Sequence, residues 1–161
     1  MKPVGRLFLL AVAAIANLGV AASSRGAEPN IVGNWKLVSL FTTELATGKT
    51  TSPLGDHPKG YLAYTSQGRM MAVLVHEKRS PPQIDEDRID LHKYMVAYSG
   101  RYTVEGNTVV HHVDISWNES WTGTDQVRFL NFEGDRLTVT APVDAVSGLE
   151  ATSVLVWERE R

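Results

Sequence analysis

Short β-rich runs, separated at regular intervals by turn residues, dominate this sequence and limit the folds open to it. One pair of runs flanks Gly106-Asn107 and another flanks Gly134-Asp135, which are two-residue turns whose backbone suits the twist of antiparallel strands. A third pair flanks Ser66-Gln67-Gly68, a loop that ends in glycine. This even spacing predicts an all-β, antiparallel sandwich or barrel, and the periodicity alone does not choose between the two.

The runs predict eight to nine strands, which is about the number that closes a small barrel. The predicted strands cover residues 33–44, a short piece at 49–51, 60–65, 69–76, 101–105, 108–116, 127–133, 136–141 and 151–159. One segment departs from this pattern, because Pro81-Pro82 ends a strand and apolar residues at helical spacing follow. We predict one short helix over residues 84–98, with its apolar side toward the barrel.

The N-terminus has the layout of a secretory signal peptide. Lys2 and Arg6 form a basic start, residues 7–22 are mostly apolar, and small residues follow that suit a signal peptidase. The alternative is a membrane anchor, but the apolar stretch is rich in alanine and shorter than the roughly 20 strongly apolar residues of a bilayer span. We therefore expect cleavage near Ala22 and a periplasmic or secreted protein.

The remainder has the size of one domain, with residues 23–31 as a linker and residues 32–161 as the fold. It contains no cysteine, so burial and backbone pairing must stabilise it without disulfides, and thiol catalysis is excluded. Cleavage removes two basic residues and no acidic one, which takes the formal net charge from −2 to −4. An acidic surface without a basic cluster argues against nucleic acid as a partner. No second apolar run is long enough to anchor the protein in a membrane.

Two tryptophan motifs stand at the ends of the predicted domain. Gly33-Asn34-Trp35 begins the first strand, and Trp157-Glu158-Arg159 lies in the last strand. The first motif resembles the Gly-x-Trp that opens the barrel of lipocalins, in which a basic side chain from the closing strand lies across the tryptophan. This resemblance implies that Gly33, Trp35 and Arg159 seal one end of a barrel.

The chain as a whole resembles the bacterial lipocalin-like domain family. The stretches that carry the resemblance are residues 60–65, 68–70, 98–102, 109–113, 121–128, 134–137 and 155–159. The resemblance implies an antiparallel lipocalin-like barrel and the binding of a small, partly apolar molecule. It implies no particular reaction, because a fold does not carry a function by itself.

His111-His112 is the first candidate for chemistry. Neighbouring residues on a strand point to opposite faces, so only one of the two can face the interior and the pair cannot hold one metal ion. Val109 and Val113 share a face with His111, whereas an aspartate shares the face of His112. We therefore expect His111 to point inward, either as a hydrogen-bonded core residue or as an acid–base group.

Aromatic and basic residues on the strands predict a ligand pocket. Tyrosine and tryptophan combine apolar area with a polar donor, and an arginine can meet an acidic or carbonyl-bearing ligand. Alternation assigns Tyr64, His111 and Trp121 to the interior wall, with Arg128 as a further polar contact. The alternative is that these side chains simply fill a barrel too small to hold a ligand.

Other kinds of site find little support in the sequence. The remaining histidines lack the spacing of metal ligands, and no Gly-x-Ser-x-Gly sequence occurs. The acidic residues between 85 and 90 cluster at the start of the predicted helix, where they favour the helix dipole. We expect neither a metal nor a cofactor.

The leading interpretation is non-covalent binding of a small hydrophobic or amphipathic molecule in the barrel interior. One alternative is an enzyme of the isomerase, cyclase or hydrolase type, with His111 as the acid–base group and a tyrosine or arginine as polariser. Another is a structural domain with a filled core. A void inside the barrel distinguishes the first two interpretations from the third.

Overall fold

The β-rich runs form nine antiparallel strands in the computed structural model, which describes residues 30–143 and 150–161. The predicted signal peptide and most of the predicted linker lie outside the described residues. The elements are β1 (Gly33–Glu44), β2 (Thr50–Thr51), β3 (Lys59–Tyr64), β4 (Arg69–Val75), α1 (Asp85–Lys93), β5 (Met95–Glu105), β6 (Thr108–Ser116), a 3-10 turn (Glu119–Trp121), β7 (Asp125–Glu133), β8 (Arg136–Val143) and β9 (Ala151–Arg159).

Eight of these strands close into a barrel. Strands β3 to β9 pair in chain order, and β1 joins the two ends of this series. Residues 33–36 of β1 pair with β3, while residues 35–44 pair with β9. The short strand β2 is an addition to the barrel, paired with Thr42 and Thr43 at the far end of β1. The predicted all-β, lipocalin-like barrel is confirmed, since closure through β1 distinguishes it from a sandwich.

A β-bulge changes which residues of β1 face the interior. Leu37 and Ser39 oppose neighbouring residues of β9, so Val38 is an extra residue in this strand. Trp35 and Leu37 are buried before the bulge, and Leu40 is buried after it. An extra residue shifts the period-2 alternation by one position, so odd-numbered residues face inward before Val38 and even-numbered ones after it.

The helix is shorter than the sequence predicts, and its orientation differs. Instead of covering residues 84–98, α1 ends at Lys93, and residues 95–98 belong to β5, where they pair with β4. No residue of α1 is buried, and Ile89 is 64 % exposed, so the expected apolar contact with the barrel is wrong. Sheet pairing of the β-branched and aromatic residues after α1 outweighs their helical spacing. No helix in the described part of the chain has the length and apolar character of a membrane span.

Trp35 closes one end of the barrel. Its side chain is fully buried, and its indole Nε1 donates a hydrogen bond of 2.9 Å to the Ile31 carbonyl. Phe132 meets it edge to face at 6.0 Å between ring centroids. The guanidinium of Arg159 lies over the indole at 4.1 Å from the ring centroid, which is a cation–π contact. The predicted seal by Trp35 and Arg159 is therefore present.

Gly33 leaves the space that Arg159 occupies. The guanidinium donates hydrogen bonds of 2.7 Å and 2.8 Å to the carbonyls of Asn30 and Val32, so it bridges the barrel to the chain before β1. A Cβ on Gly33 would lie 2.7 Å from Arg159 Nη1. The φ of Gly33 is +137°, a backbone conformation that residues other than glycine rarely adopt.

Removing the closing tryptophan should destabilise the protein strongly. We expect Trp35→Ala to cost about 3–5 kcal/mol in the free energy of unfolding, because a large buried aromatic leaves a cavity. The exposed aromatic residue Tyr61 provides the control, and Tyr61→Ala should cost about 1 kcal/mol or less. Chemical denaturation measures both values. Equal losses for the two variants would show that Trp35 does not close the barrel.

A double-mutant cycle separates the two reasons for glycine at position 33. Gly33→Ala should destabilise through both its φ and its clash with Arg159. Arg159→Ala removes the clash, so the alanine should cost less in that background than in the wild type. Strictly additive losses on denaturation would mean that Arg159 does not restrict position 33.

Candidate functional site

The inward faces of the strands leave a cavity of about 440 Å³ inside the barrel. Trp157 lines it on the side toward the closed end. The cavity extends toward the end where Leu54 and Tyr94 lie, and this volume is that of a typical small-molecule site. Most of its wall is apolar, including Leu40, Leu62, Leu74, Val96, Val139 and Leu155. The interior is therefore not filled by side chains, which argues against the filled-core interpretation.

His111 lies inside the barrel, as alternation along β6 predicts. Only 2 % of its surface is exposed, and it is buried together with Val109 and Val113 on the same face of the strand. Both ring nitrogens are hydrogen bonded to tyrosines. Nε2 is 2.7 Å from the hydroxyl of Tyr64, and Nδ1 is 2.9 Å from the hydroxyl of Tyr98. The imidazole is thus held between two hydroxyl groups that come from β3 and β5.

Burial keeps this imidazole neutral. The pKa of His111 is lowered from 6.5 to about 3, mainly because burial disfavours the charged form, with further contributions from Arg128 and His112. Burial also raises the pKa of Tyr64 and of Tyr98. A neutral imidazole has one donor and one acceptor, so one tyrosine donates to the ring and the other accepts from it. A group with a pKa near 3 is a poor general base at neutral pH, which weakens the enzyme interpretation.

The two tyrosines have different positions relative to the cavity. Tyr98 lines the cavity and contacts the ring of Trp121 edge to face, at 5.4 Å between centroids. Tyr64, which the sequence assigns to the interior wall, is buried behind His111, and its ring packs against Tyr102 at 4.9 Å. Tyr64 therefore supports the site through His111 instead of lining the cavity.

Trp121 lines the cavity from the connection between β6 and β7. It ends the 3-10 turn and packs edge to face on Trp117, at 5.1 Å between ring centroids. A side-chain oxygen of Asn118 accepts a hydrogen bond from the backbone of Ser120 and so helps to hold this turn. Together with Tyr98, the two tryptophans give this side of the cavity an aromatic wall.

Arg128 is a buried cation among neutral partners. It is 7 % exposed on β7, where alternation points it inward. Its guanidinium donates hydrogen bonds of 2.7 Å to the Val127 carbonyl and 3.2 Å to Gln126 Oε1, and it lies 5.7 Å from the ring centroid of Trp121. Within residues 30–143 and 150–161, no carboxylate forms an ion pair with it.

Tyr98 and Trp157 are cavity residues that the sequence-based set lacks. Tyr98 falls within the predicted helix, so its position on β5 could not be assigned. Trp157 is buried on β9 and lines the cavity, and its Nε1 is the one buried side-chain nitrogen or oxygen without a hydrogen-bond partner among the described residues. Alternation from Ser153 through Leu155 would have indicated the inward direction of Trp157. By contrast, Trp35 and Arg159 lie at the closed end and are not cavity residues.

His112 belongs to the outer surface. Its Nδ1 is 2.6 Å from Asp125 Oδ1, and its Nε2 is 3.1 Å from Thr103 Oγ1, so the three side chains form a hydrogen-bonded row across β5, β6 and β7. All three are exposed or half-buried, on the face opposite to His111. The described residues contain no group of three His, Asp or Glu side chains placed to hold a metal ion.

Comparison with known proteins agrees with this geometry. The family model for the lipocalin-like domain matches residues 32–160. The chain belongs to the lipocalin-like domain family. Among its relatives is the 4'-hydroxy-3'-methoxypropiophenone carrier protein ppsC of Aspergillus oryzae, which is 35 % identical over 85 residues. The matched region covers 47 % of this lipocalin-like chain and 76 % of the relative. Fold and relative together support small-molecule binding.

The buried histidine should make this lipocalin-like protein sensitive to acid. Because the pKa of His111 is lower in the folded state, the unfolded chain binds more protons between pH 6.5 and about 3. The contribution of His111 to the free energy of unfolding is therefore fully present above pH 6.5. It is lost as the pH falls, by up to about 1.4 kcal/mol per pH unit.

Denaturation from pH 7 to pH 4 measures this loss. His111→Gln removes the titrating group, so its stability should fall less steeply with acid than that of the wild type. The exposed His57 gives the control, and His57→Gln should keep the wild-type slope. Parallel curves for His111→Gln and the wild type would contradict the assignment.

Proposed function

We propose that this protein binds and carries a small, amphipathic aromatic molecule in its barrel. The observation that carries the proposal is the cavity itself, an apolar chamber of about 440 Å³ with a few polar side chains in its wall. Binding sites for small molecules combine these features, because the apolar wall supplies affinity and a few fixed polar groups supply orientation.

Aromatic side chains favour a planar ligand. Tyr98, Trp117 and Trp121 meet edge to face along one side of the cavity, and Trp157 forms part of its inner end. Aromatic rings gain from offset and edge-to-face contacts with one another beyond the gain from burial alone. A flat ring that enters the cavity would replace empty space with such contacts.

Polar groups favour oxygen acceptors on that ligand. The indole N–H of Trp157 has no acceptor among the described residues, and a buried donor without a partner costs free energy. Tyr98, which carries a hydroxyl, also lines the cavity. A ligand carbonyl, ether or hydroxyl oxygen beside Tyr98 would accept a hydrogen bond from the cavity wall.

The name of the relative supports the same kind of ligand. It names a carrier of 4'-hydroxy-3'-methoxypropiophenone, an aromatic ketone with a phenol and a methyl ether. Such a compound has one flat apolar ring and several oxygen acceptors. We propose a carrier in preference to an enzyme, because the neutral His111 is committed to two tyrosines.

The proposed site of action is outside the cytoplasm. The basic start, the apolar stretch and the small residues before position 25 support export with removal of residues 1–22. A protein without cysteine is suited to an oxidising compartment, since it has no thiol to mispair. The carrier would then hold its ligand in the periplasm or the medium.

Binding should be detectable with 4'-hydroxy-3'-methoxypropiophenone as the probe. We expect saturable quenching of tryptophan emission, since three tryptophans line the cavity, and a higher melting temperature. At a probe concentration 100 times Kd, the stabilisation should be about 2.7 kcal/mol. Fluorescence titration and thermal melting measure the two effects. The proposal fails if neither this probe nor other planar amphipathic compounds change emission or melting.

Two variants that replace an alanine by phenylalanine locate the binding site. Ala141 lines the cavity, so Ala141→Phe should fill part of the chamber and weaken binding at least about tenfold. Ala63 lies on the outward face of β3, opposite the exposed Met71, and Ala63→Phe should bind like the wild type. His111→Ala should also weaken binding, because it frees Tyr98 from its fixed position. Equal affinities for Ala141→Phe and Ala63→Phe would place the ligand elsewhere.

Export makes a separate prediction. Expressed in a bacterium with its own N-terminus, the protein should be recovered from the envelope or the medium and should begin near Ser23. Leu10→Asp, which places a charge within the apolar stretch, should block export, whereas Lys2→Arg should not. N-terminal sequencing of each fraction measures the result, and intact Met1 protein confined to the cytoplasm would refute the proposal.

A further inference from the structure

Charge in the cavity has one sign. Two basic side chains, Arg128 and Lys93, line it, and none of its described lining residues is an aspartate or a glutamate. The whole chain has a formal net charge of −2, so the interior is opposite in sign to the protein as a whole. A cleft with charge of one sign and low-dielectric walls concentrates ligands of the other sign.

Arg128 is the buried member of this pair. Its guanidinium donates hydrogen bonds to a backbone carbonyl and to the neutral side chain of Gln126, and the neutral hydroxyl of Tyr98 also lies beside it. A guanidinium has five N–H donors. Burying a cation is costly unless an anion neutralises it, and no described carboxylate forms an ion pair with Arg128. A guanidinium also matches the two oxygens of a carboxylate better than any other side chain does.

Other donors surround the same region. Burial raises the pKa of the Tyr98 hydroxyl, and the nearby cation of Arg128 offsets part of this rise. The indole ring of Trp157, whose N–H has no acceptor among the described residues, also belongs to the cavity wall. Lys93, which is exposed, stands at the end of α1 on the rim. The wall therefore offers donors and two cations to one ligand, and no aspartate or glutamate among its described residues competes with it.

We propose that the cavity selects aromatic weak acids in their anionic form, with the acidic oxygen atoms on the guanidinium of Arg128 and the ring against Trp121. This inference deepens the proposed carrier function and rests on it. A carboxylate and an acidic phenolate share the required chemistry, which is a negative oxygen attached to a flat apolar ring. Lys93 at the rim attracts the anion, and Arg128 holds it.

Two probes of equal shape test the charge. 2-Naphthoate and 2-naphthamide have the same rings, and only the first is an anion at pH 7. We expect the wild type to bind naphthoate about tenfold or more tightly than naphthamide, as measured by isothermal titration calorimetry. Arg128→Gln should abolish this preference by weakening naphthoate binding and leaving naphthamide binding unchanged. Arg128→Lys should keep part of the preference, because it retains the charge without the planar fork.

Arg101→Gln is the matched control. Arg101 is exposed on β5 and does not line the cavity, so its loss changes the net charge equally without touching the site. This variant should keep the wild-type preference. A similar loss of preference in Arg101→Gln and Arg128→Gln would mean that overall charge acts, and the inference would fall.

The outcomes distinguish this inference from the proposed function. If the wild type binds naphthamide as tightly as naphthoate, the anion site is refuted while the carrier proposal stands. If 2-naphthoate, 2-naphthamide and 4'-hydroxy-3'-methoxypropiophenone all fail to bind, both proposals fail. Comparing the two probes on the wild type decides the question even if Arg128→Gln does not fold.

Discussion

The pairing of β1 with β9 holds the barrel closed, and every inward-facing residue depends on it. Without this seam the other strands would form an open sheet with two exposed edges, which invites association with other chains. The chain has no disulfide to assist closure, so backbone hydrogen bonds and the Trp35–Arg159 contact must bring its two ends together. The seam also contributes to the cavity, where Thr42 and Ser153 meet across it through their hydroxyls at 2.8 Å.

Stability and binding lie in different layers of the barrel. Trp35, Val109 and Leu137 are fully buried in the closed half, where packing provides much of the stabilisation. His111 and its two tyrosines form a polar layer next to this packed half, and the cavity begins there. A void costs stability because the atoms around it lose contacts. The packed half allows the other half to remain open to a ligand.

Local signals made most of the fold predictable from the sequence. The turns at Gly106 and Gly134 depend only on neighbouring residues, and alternation within one strand correctly directs His111 and Arg128 inward. What could not be predicted depends on a partner strand. The bulge at Val38 exists only relative to β9, and the extension of β5 through Tyr98 exists only because β4 is available for pairing. That the Trp157 indole N–H has no acceptor among the described residues likewise becomes visible only once all the strands are assembled.

The imidazole between two tyrosines allows the hydrogen-bond donor and acceptor roles at Tyr98 to be exchanged. If Tyr64 donates to Nε2, then Nδ1–H donates to Tyr98, whose own hydrogen is free to meet an acceptor in the cavity. In the other tautomer Tyr98 donates to Nδ1, and its oxygen is left to accept a hydrogen bond. Only protons move between these two arrangements, while all heavy atoms stay in place. The same arrangement of heavy atoms can therefore present either a donor or an acceptor at Tyr98.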